Sequence, residues 1–187
     1  YLGDGSDCSG DPCSSGGGDG DTCADAVTAS EGANAFDTST QSDSGYGEPD
    51  DTQCADTYLD WSGSQDFWFV WNPGADGVAT FSTCDTSSYD TSMVIYEGTS
   101  CSNLQQIACN GDYPDSTGCQ SYHSQIDNLQ VSAGQSYYIR LGGWLAAAGP
   151  GTLTIDADLG QPLEGACCFS GGSCDYITSE QCANSGG

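Results

Sequence analysis

The chain has 187 residues, with 27 Asp and Glu against a single Lys or Arg, and its net charge is −26. Leu, Ile, Val and Phe together make up only about 13 % of it, a level at which high charge ordinarily goes with disorder. With so little to neutralise phosphates, nucleic-acid binding and attraction to anionic lipid are excluded, and no apolar run is long enough for a membrane helix.

Two features oppose disorder: 10 % of the residues are aromatic and 12 are Cys. A large, even number of cysteines is what a chain with a poor apolar core uses to stay ordered. The lone His123 disfavours zinc, so disulfides and an oxidising, extracellular or cell-surface compartment are expected. The first residue is Tyr1, with no initiating Met and no signal peptide, so a processed or excised piece of a longer protein is expected.

Residues 1–20 are Gly, Ser and Asp around Cys8 and Cys13, too polar for a core. Residues 21–29 suggest one or two helical turns. From residue 30 to about 160 the pattern is all-β, with strands expected at 33–38, 66–72, 77–84, 91–97, 125–131, 135–142 and 151–157. Each is short and bounded by turn-forming residues, as in a sandwich. Alternation places Leu153, Ile155 and Ala157 on one buried face, and Tyr137, Ile139 and Leu141 on another, with Tyr138 and Arg140 outward. Strand 66–71 is apolar on both faces, which requires cover on both sides. The long segments 41–60 and 97–123 hold Cys54, Cys101, Cys109 and Cys119, and disulfides are expected to order them. After Leu159, the four cysteines Cys167, Cys168, Cys174 and Cys182 mark a small stapled module.

Residues 21 to about 158 resemble the bacterial pre-peptidase C-terminal (PPC-like) β-sandwich family. The resemblance is carried by Asp21-Thr-Cys-Ala-Asp-Ala, Asp66-Phe-Trp-Phe, Gly77-Val-Ala-Thr-Phe-Ser-Thr-Cys84, Tyr89-Asp-Thr-Ser-Met-Val-Ile-Tyr96, Ala108-Cys-Asn-Gly-Asp112 and Tyr137-Tyr-Ile-Arg-Leu-Gly-Gly143. It implies a jelly-roll-like antiparallel sandwich without enzymatic activity, used as an accessory or binding module of secreted and surface proteins. The tail Gly165-Ala-Cys-Cys…Gly-Gly-Ser-Cys…Cys182…Gly187 is similar to a GACC-type Cys-rich repeat of large bacterial surface proteins. That pattern runs on into residues like Tyr1-Leu-Gly-Asp-Gly…Cys8…Cys13. Three parts are therefore expected: an arm at 1–20, a sandwich at 21–160, and a module at 161–187 continued by residues 1–13 of a neighbouring copy.

Among the six sandwich cysteines many connectivities are open. Cys101–Cys109 would close a short loop, Cys23–Cys54 would tie the first turn to the long loop, and Cys84–Cys119 would remain. The vicinal Cys167 and Cys168 are expected to reach separate partners, because an adjacent bridge is strained. Calcium is the candidate metal, through Asp4, Asp7, Asp19 and Asp21 with Asp11, or through Glu48, Asp50 and Asp51, although neither run has EF-hand spacing. His123 lies in a polar loop with no catalytic motif around it, and a surface or loop-bridging role is expected. Arg140 is expected to pair with a strand-neighbour carboxylate or to clamp two subunits. Trp68 and Trp71 are assigned to the core, and Trp144, in an apolar loop tip, to a core plug or subunit contact. No N-glycosylation sequon occurs, whereas the many Ser and Thr could carry O-glycans.

The expected function is structural: an extracellular repeating unit that assembles with itself head to tail into a filament or surface array, with Tyr1, Gly187, Trp144 and Arg140 as interface residues. No catalysis, nucleic-acid partner or membrane insertion is expected. The alternative is a calcium- or carbohydrate-binding accessory module of a secreted protein.

Overall fold

Short runs of β-branched and aromatic residues, each closed off by Gly, Pro, Asn or Asp, leave the chain little choice but strands. The computed structural model describes residues 19–54, 59–84, 89–114, 119–160, 164–169 and 171–185. A single 3-10 turn at Cys23–Asp25 leads into β1 (Val27–Thr28). There follow β2 (Gly32–Asp37), β3 (Phe67–Trp71), β4 (Gly77–Ser82), β5 (Thr91–Glu97) and β6 (Gln105–Asn110). The sandwich is completed by β7 (Gln125–Val131), β8 (Tyr137–Gly143) and β9 (Pro150–Leu159). Beyond it lie the hairpin strands β10 (Glu164–Cys168) and β11 (Cys174–Thr178) and a short helix α1 (Ser179–Ser185).

One sheet has the order β1-β3-β8-β5-β6, the other β2-β9-β4-β7. Every pairing is antiparallel except the two-residue contact of β1 with β3. The protein is an all-β, disulfide-rich sandwich, and from β1 to β9 its chain crosses between the sheets at every connection except β5 to β6. Between the sheets lies a core of Phe36, Phe67, Phe69, Trp71, Phe81, Met93, Ile95, Ile139, Leu141, Leu153 and Ile155. Inward placement of Tyr137, Ile139 and Leu141 and of Leu153 and Ile155 follows the expected alternation, all five being buried.

The five-stranded sheet also has a second buried face. Trp68, Val94 and Tyr96 point away from the sandwich core and pack with Trp61, Cys23, Cys54 and Cys109. Tyr46, Cys54, Leu59 and Trp61 lie over this face, which is why β3 is apolar on both sides. Three elements differ from the sequence-based expectation. β1 replaces part of the expected helical turns. β6 lies within the long segment expected as loop; at the sheet edge, its leading residues Gln105 to Ala108 are not buried, so no apolar alternation marks it. The Cys-dense tail is an antiparallel hairpin capped by α1.

Disulfides join these layers differently from the shortest-loop expectation. Cys23 is bonded to Cys101 and Cys54 to Cys109, in place of Cys23–Cys54 and Cys101–Cys109. The β5–β6 turn folds over towards the first 3-10 turn, so cysteines distant in sequence meet. The third sandwich bridge joins Cys84 to Cys119. In the hairpin, Cys167 bonds Cys182 and Cys168 bonds Cys174, two separate partners for the vicinal pair. Cys8 and Cys13 lie outside the described residues.

Five disulfides point to an oxidising environment. Among the described residues no helix is long and apolar enough to cross a membrane. A non-reducing peptide map should recover Cys23–Cys101 and Cys54–Cys109 as linked pairs. Replacing Cys23 and Cys101 together by Ala should lower unfolding free energy by about 2–4 kcal/mol in urea titration.

Candidate functional site

Arg140 stands on β8, paired in register with Trp68 of β3, and both point away from the sandwich core. Alternation along β3 and the residue before it puts Asp66 on the same side. Arg140 Nε donates to Asp66 Oδ2, and Arg140 Nη1 donates to the Gly47 carbonyl at 2.8 Å. Asp66 also accepts from the Ser44 amide at 3.1 Å and the Ser44 hydroxyl at 2.8 Å. Aromatic rings surround the guanidinium: its carbon lies 4.6 Å from the Trp61 ring centre, 5.4 Å from Trp68 and 5.8 Å from Tyr46. Each is within range of a cation–π attraction.

The pair is fully buried, Arg140 being 1 % and Asp66 0 % exposed. Burial pushes the Asp66 carboxyl above its ordinary value, while Arg140 and Ser44 pull it back. The outward, surface-paired Arg140 expected from alternation is therefore corrected. It does face away from the sandwich core, but Tyr46, Gly47 and Trp61 cover it, so it offers no clamp to another subunit. Gly142 makes that cover feasible: a Cβ there would sit 2.7 Å from Trp61 Cζ2 and displace the ring.

The covering residues are held at further points as well. Gln106 of β6 accepts from the Asp50 amide at 2.9 Å and donates to the Asp50 carbonyl at 2.8 Å. The Cys54–Cys109 bridge ties them to β6 as well. Asp50 itself caps the 3-10 turn at Asp51–Gln53, and hydrogen bonds led by the Thr52 hydroxyl hold its carboxyl below the usual range. Glu48 and Asp51 line a small open cavity of about 100 Å³ with Asp60 and Trp61.

The proposed calcium carboxylates are placed as follows. Asp21 accepts from the Ser42 hydroxyl at 2.8 Å through Oδ2 and from the Ser42 amide through Oδ1. Asp19 accepts from the Asp21 amide at 3.2 Å. Both serve as loop clasps, and Asp4, Asp7 and Asp11 lie outside the described residues. Among the described residues no group of three or more His, Cys, Asp or Glu is arranged to hold a metal ion.

His123 is buried rather than on the surface. Its amide donates to the Gln120 carbonyl at 3.2 Å and its carbonyl accepts from the Tyr113 amide at 2.8 Å, a loop-bridging position. Near it, the Asp90 carboxyl is pushed up to about 6, by burial first and then by the charge of Asp112, against the pull of His123. Burial also raises Asp112.

Trp144 is half-buried, and its amide donates to the Asp90 carbonyl at 3.1 Å. The apolar tip belongs instead to Leu145, which is 65 % exposed. Tyr1 and Gly187, the other interface residues expected, lie outside the described residues. Sequence reasoning missed Asp66 as the partner of Arg140. Its one signal is a carboxylate placed directly before an otherwise wholly apolar strand. It also missed the exposed Leu145 and Tyr176. No family model, curated protein or solved structure matches this chain.

Two outcomes test this geometry. Asp66→Asn and Arg140→Met should each cost about 3–5 kcal/mol, because each leaves its partner buried without a counter-charge. Arg140→Lys should also destabilise, since an ammonium cannot serve Asp66 and Gly47 while stacking on Trp61; urea unfolding measures all three. A folded-state value of Asp90 above its unfolded one disfavours the ionised folded form. Stability from this group is thus greatest below the ordinary value near 3.8 and is lost as pH rises through about 6. The urea midpoint should fall across that window, and fall less in Asp90→Asn.

Proposed function

We propose that the chain is an extracellular structural protein, the repeating unit of a disulfide-stapled head-to-tail filament or surface array. The observation that carries this reading is the hairpin that follows the sandwich. Two disulfides lock β10, β11 and α1 together, while the side chains of Ala166, Cys168, Cys174, Asp175 and Tyr176 stay exposed. Such a module has almost no core of its own, Cys167 being its one buried side chain among those described. Rigidity without burial suits an adapter whose surface is meant for another molecule.

The linkage is non-covalent at the described cysteines. All ten bond to one another, so none offers a thiol to Cys8 or Cys13. Reading the chain as a carbohydrate-binding module would require an exposed aromatic platform. Trp61, Trp68 and Trp71 are instead buried and Trp144 is half-buried, while the exposed Tyr122 and Tyr176 stand on different elements.

The acidic surface has a role in this reading. Like charges repeated on every copy keep neighbouring fibres apart and sheet edges from pairing at random. The purified chain, concentrated under non-reducing conditions, should form linear assemblies visible by electron microscopy. Complete thiol reduction should dissolve them, because the hairpin loses its staples. A chain that stays monomeric at every concentration would refute the reading.

A further inference from the structure

Resting on the filament reading, we propose that copies of the chain meet through two different apolar patches. One is the Tyr122–Leu145 end of the sandwich, and the other is the bare Tyr176 face of the next copy's hairpin.

Charge limits the choice of contact. The chain has one Lys or Arg among 27 carboxylates, and that Arg140 is buried against Asp66. No Lys or Arg side chain remains to form an ion pair across a junction between copies. A contact between two chains of this charge must therefore be poor in carboxylates. Residues 128–155 form a run without any Asp or Glu, and its exposed positions include Leu145 and Ala146 in the turn after β8.

Three large apolar side chains are exposed among the described residues: Tyr122 at 63 %, Leu145 at 65 % and Tyr176 at 65 %. Two of them share one end of the sandwich. The Thr91 amide donates to the Tyr122 carbonyl at 3.0 Å, and the Trp144 amide donates to the carbonyl of the adjoining Asp90 at 3.1 Å. Both residues also have left-handed backbone, φ 67° at Tyr122 and 48° at Leu145, followed by 59° at Ala146. Bulky residues pay for that conformation, which Gly, Asn or Asp would adopt more readily. The fold alone gains nothing from a strained, solvent-facing Leu. A partner that covers it accounts for both the strain and the exposure.

The hairpin supplies the complementary surface. Ala166 stands opposite Tyr176, and Cys168 opposite Cys174, so these four share one face. All four side chains are exposed. The other face carries the buried Cys167, bonded to Cys182 of α1. One side of the two-stranded sheet is thus covered by the helix and the other is open. Because the two patches differ, the contact is heterologous, and repeating it without closure builds a filament.

Full-length Leu145→Asp and Tyr176→Asp chains test this by sedimentation velocity, alone and mixed. Asp tolerates the left-handed position at 145, and near-ultraviolet circular dichroism checks that both variants fold. Asparagine at 145 and serine at 176 provide milder versions. Each variant alone should self-associate at least roughly 30-fold more weakly than the parent, the loss expected of a buried anchor. Mixed in equal amounts, they should form a one-to-one dimer that grows no further, because one intact junction remains. Tyr176→Asp chains that still pair with themselves would show a Leu145-to-Leu145 contact and overturn the proposal. Both variants assembling like the parent would also overturn it, while leaving the filament reading intact. A mixture that stays monomeric would refute the pairing of these two patches. A monomeric parent would refute both the proposal and the filament reading.

Discussion

Arg140 projects from a central strand into a space walled by Trp61, Trp68 and Tyr46, where an unpaired charge would be costly. Asp66 neutralises it, and through Ser44 and Gly47 the same pair grips the segment that covers them. Removing the pair would leave the covering residues held by Gln106, by the Cys54–Cys109 bridge and by the bonds of Gln41 and Ser42 to Gln65 and Asp21. The outer face of the five-stranded sheet would then open to water, with Trp68, Val94 and Tyr96 exposed. A chain with few aliphatic residues thereby gains a second buried layer from aromatics, one ion pair and disulfides. Buried ion pairs often contribute less than apolar replacements would. Here the pair's main effect is to fix where an irregular segment lies.

That use of the sole Arg has a consequence at the surface. No Lys or Arg is left at the surface, and the carboxylates remain. Association between copies must work against repulsion that decays over about 8 Å at physiological ionic strength. Contacts built on uncharged, apolar patches are the kind that can succeed. The same repulsion discourages lateral pairing through the exposed edges β2, β6 and β7.

Much of the sandwich was legible in the sequence because period-two alternation and turn residues act locally. The strands at β5 and β7 were placed with their observed bounds, and the others to within a residue or two at most ends. β6 escaped because an edge strand needs little apolar alternation, and its Gln105 and Gln106 read as loop. Cys84–Cys119 and the separate partners of the vicinal pair were legible. The other two sandwich bridges escaped for a different reason: Cys23 and Cys54 find partners across a fold-over of the β5–β6 turn that spacing does not encode. Arg140 was assigned to the correct face of its strand and to a carboxylate partner, but to the wrong environment. Alternation distinguishes the two sides of a sheet, and it does not say that an irregular segment covers one of them. The exposed Leu145 and Tyr176 were illegible for the same reason, since an isolated apolar residue in a turn or hairpin has no periodic signature.

The proposal that copies join through uncharged surface follows from the internal use of the only Arg. Its most direct test is the sign of the salt dependence of self-association, followed by sedimentation equilibrium at neutral pH with a chelator present. Raising sodium chloride from about 0.02 to about 0.3 M screens the carboxylates and should strengthen association. Association that weakens over that range would mean ion pairs cross the junction, and would contradict the account.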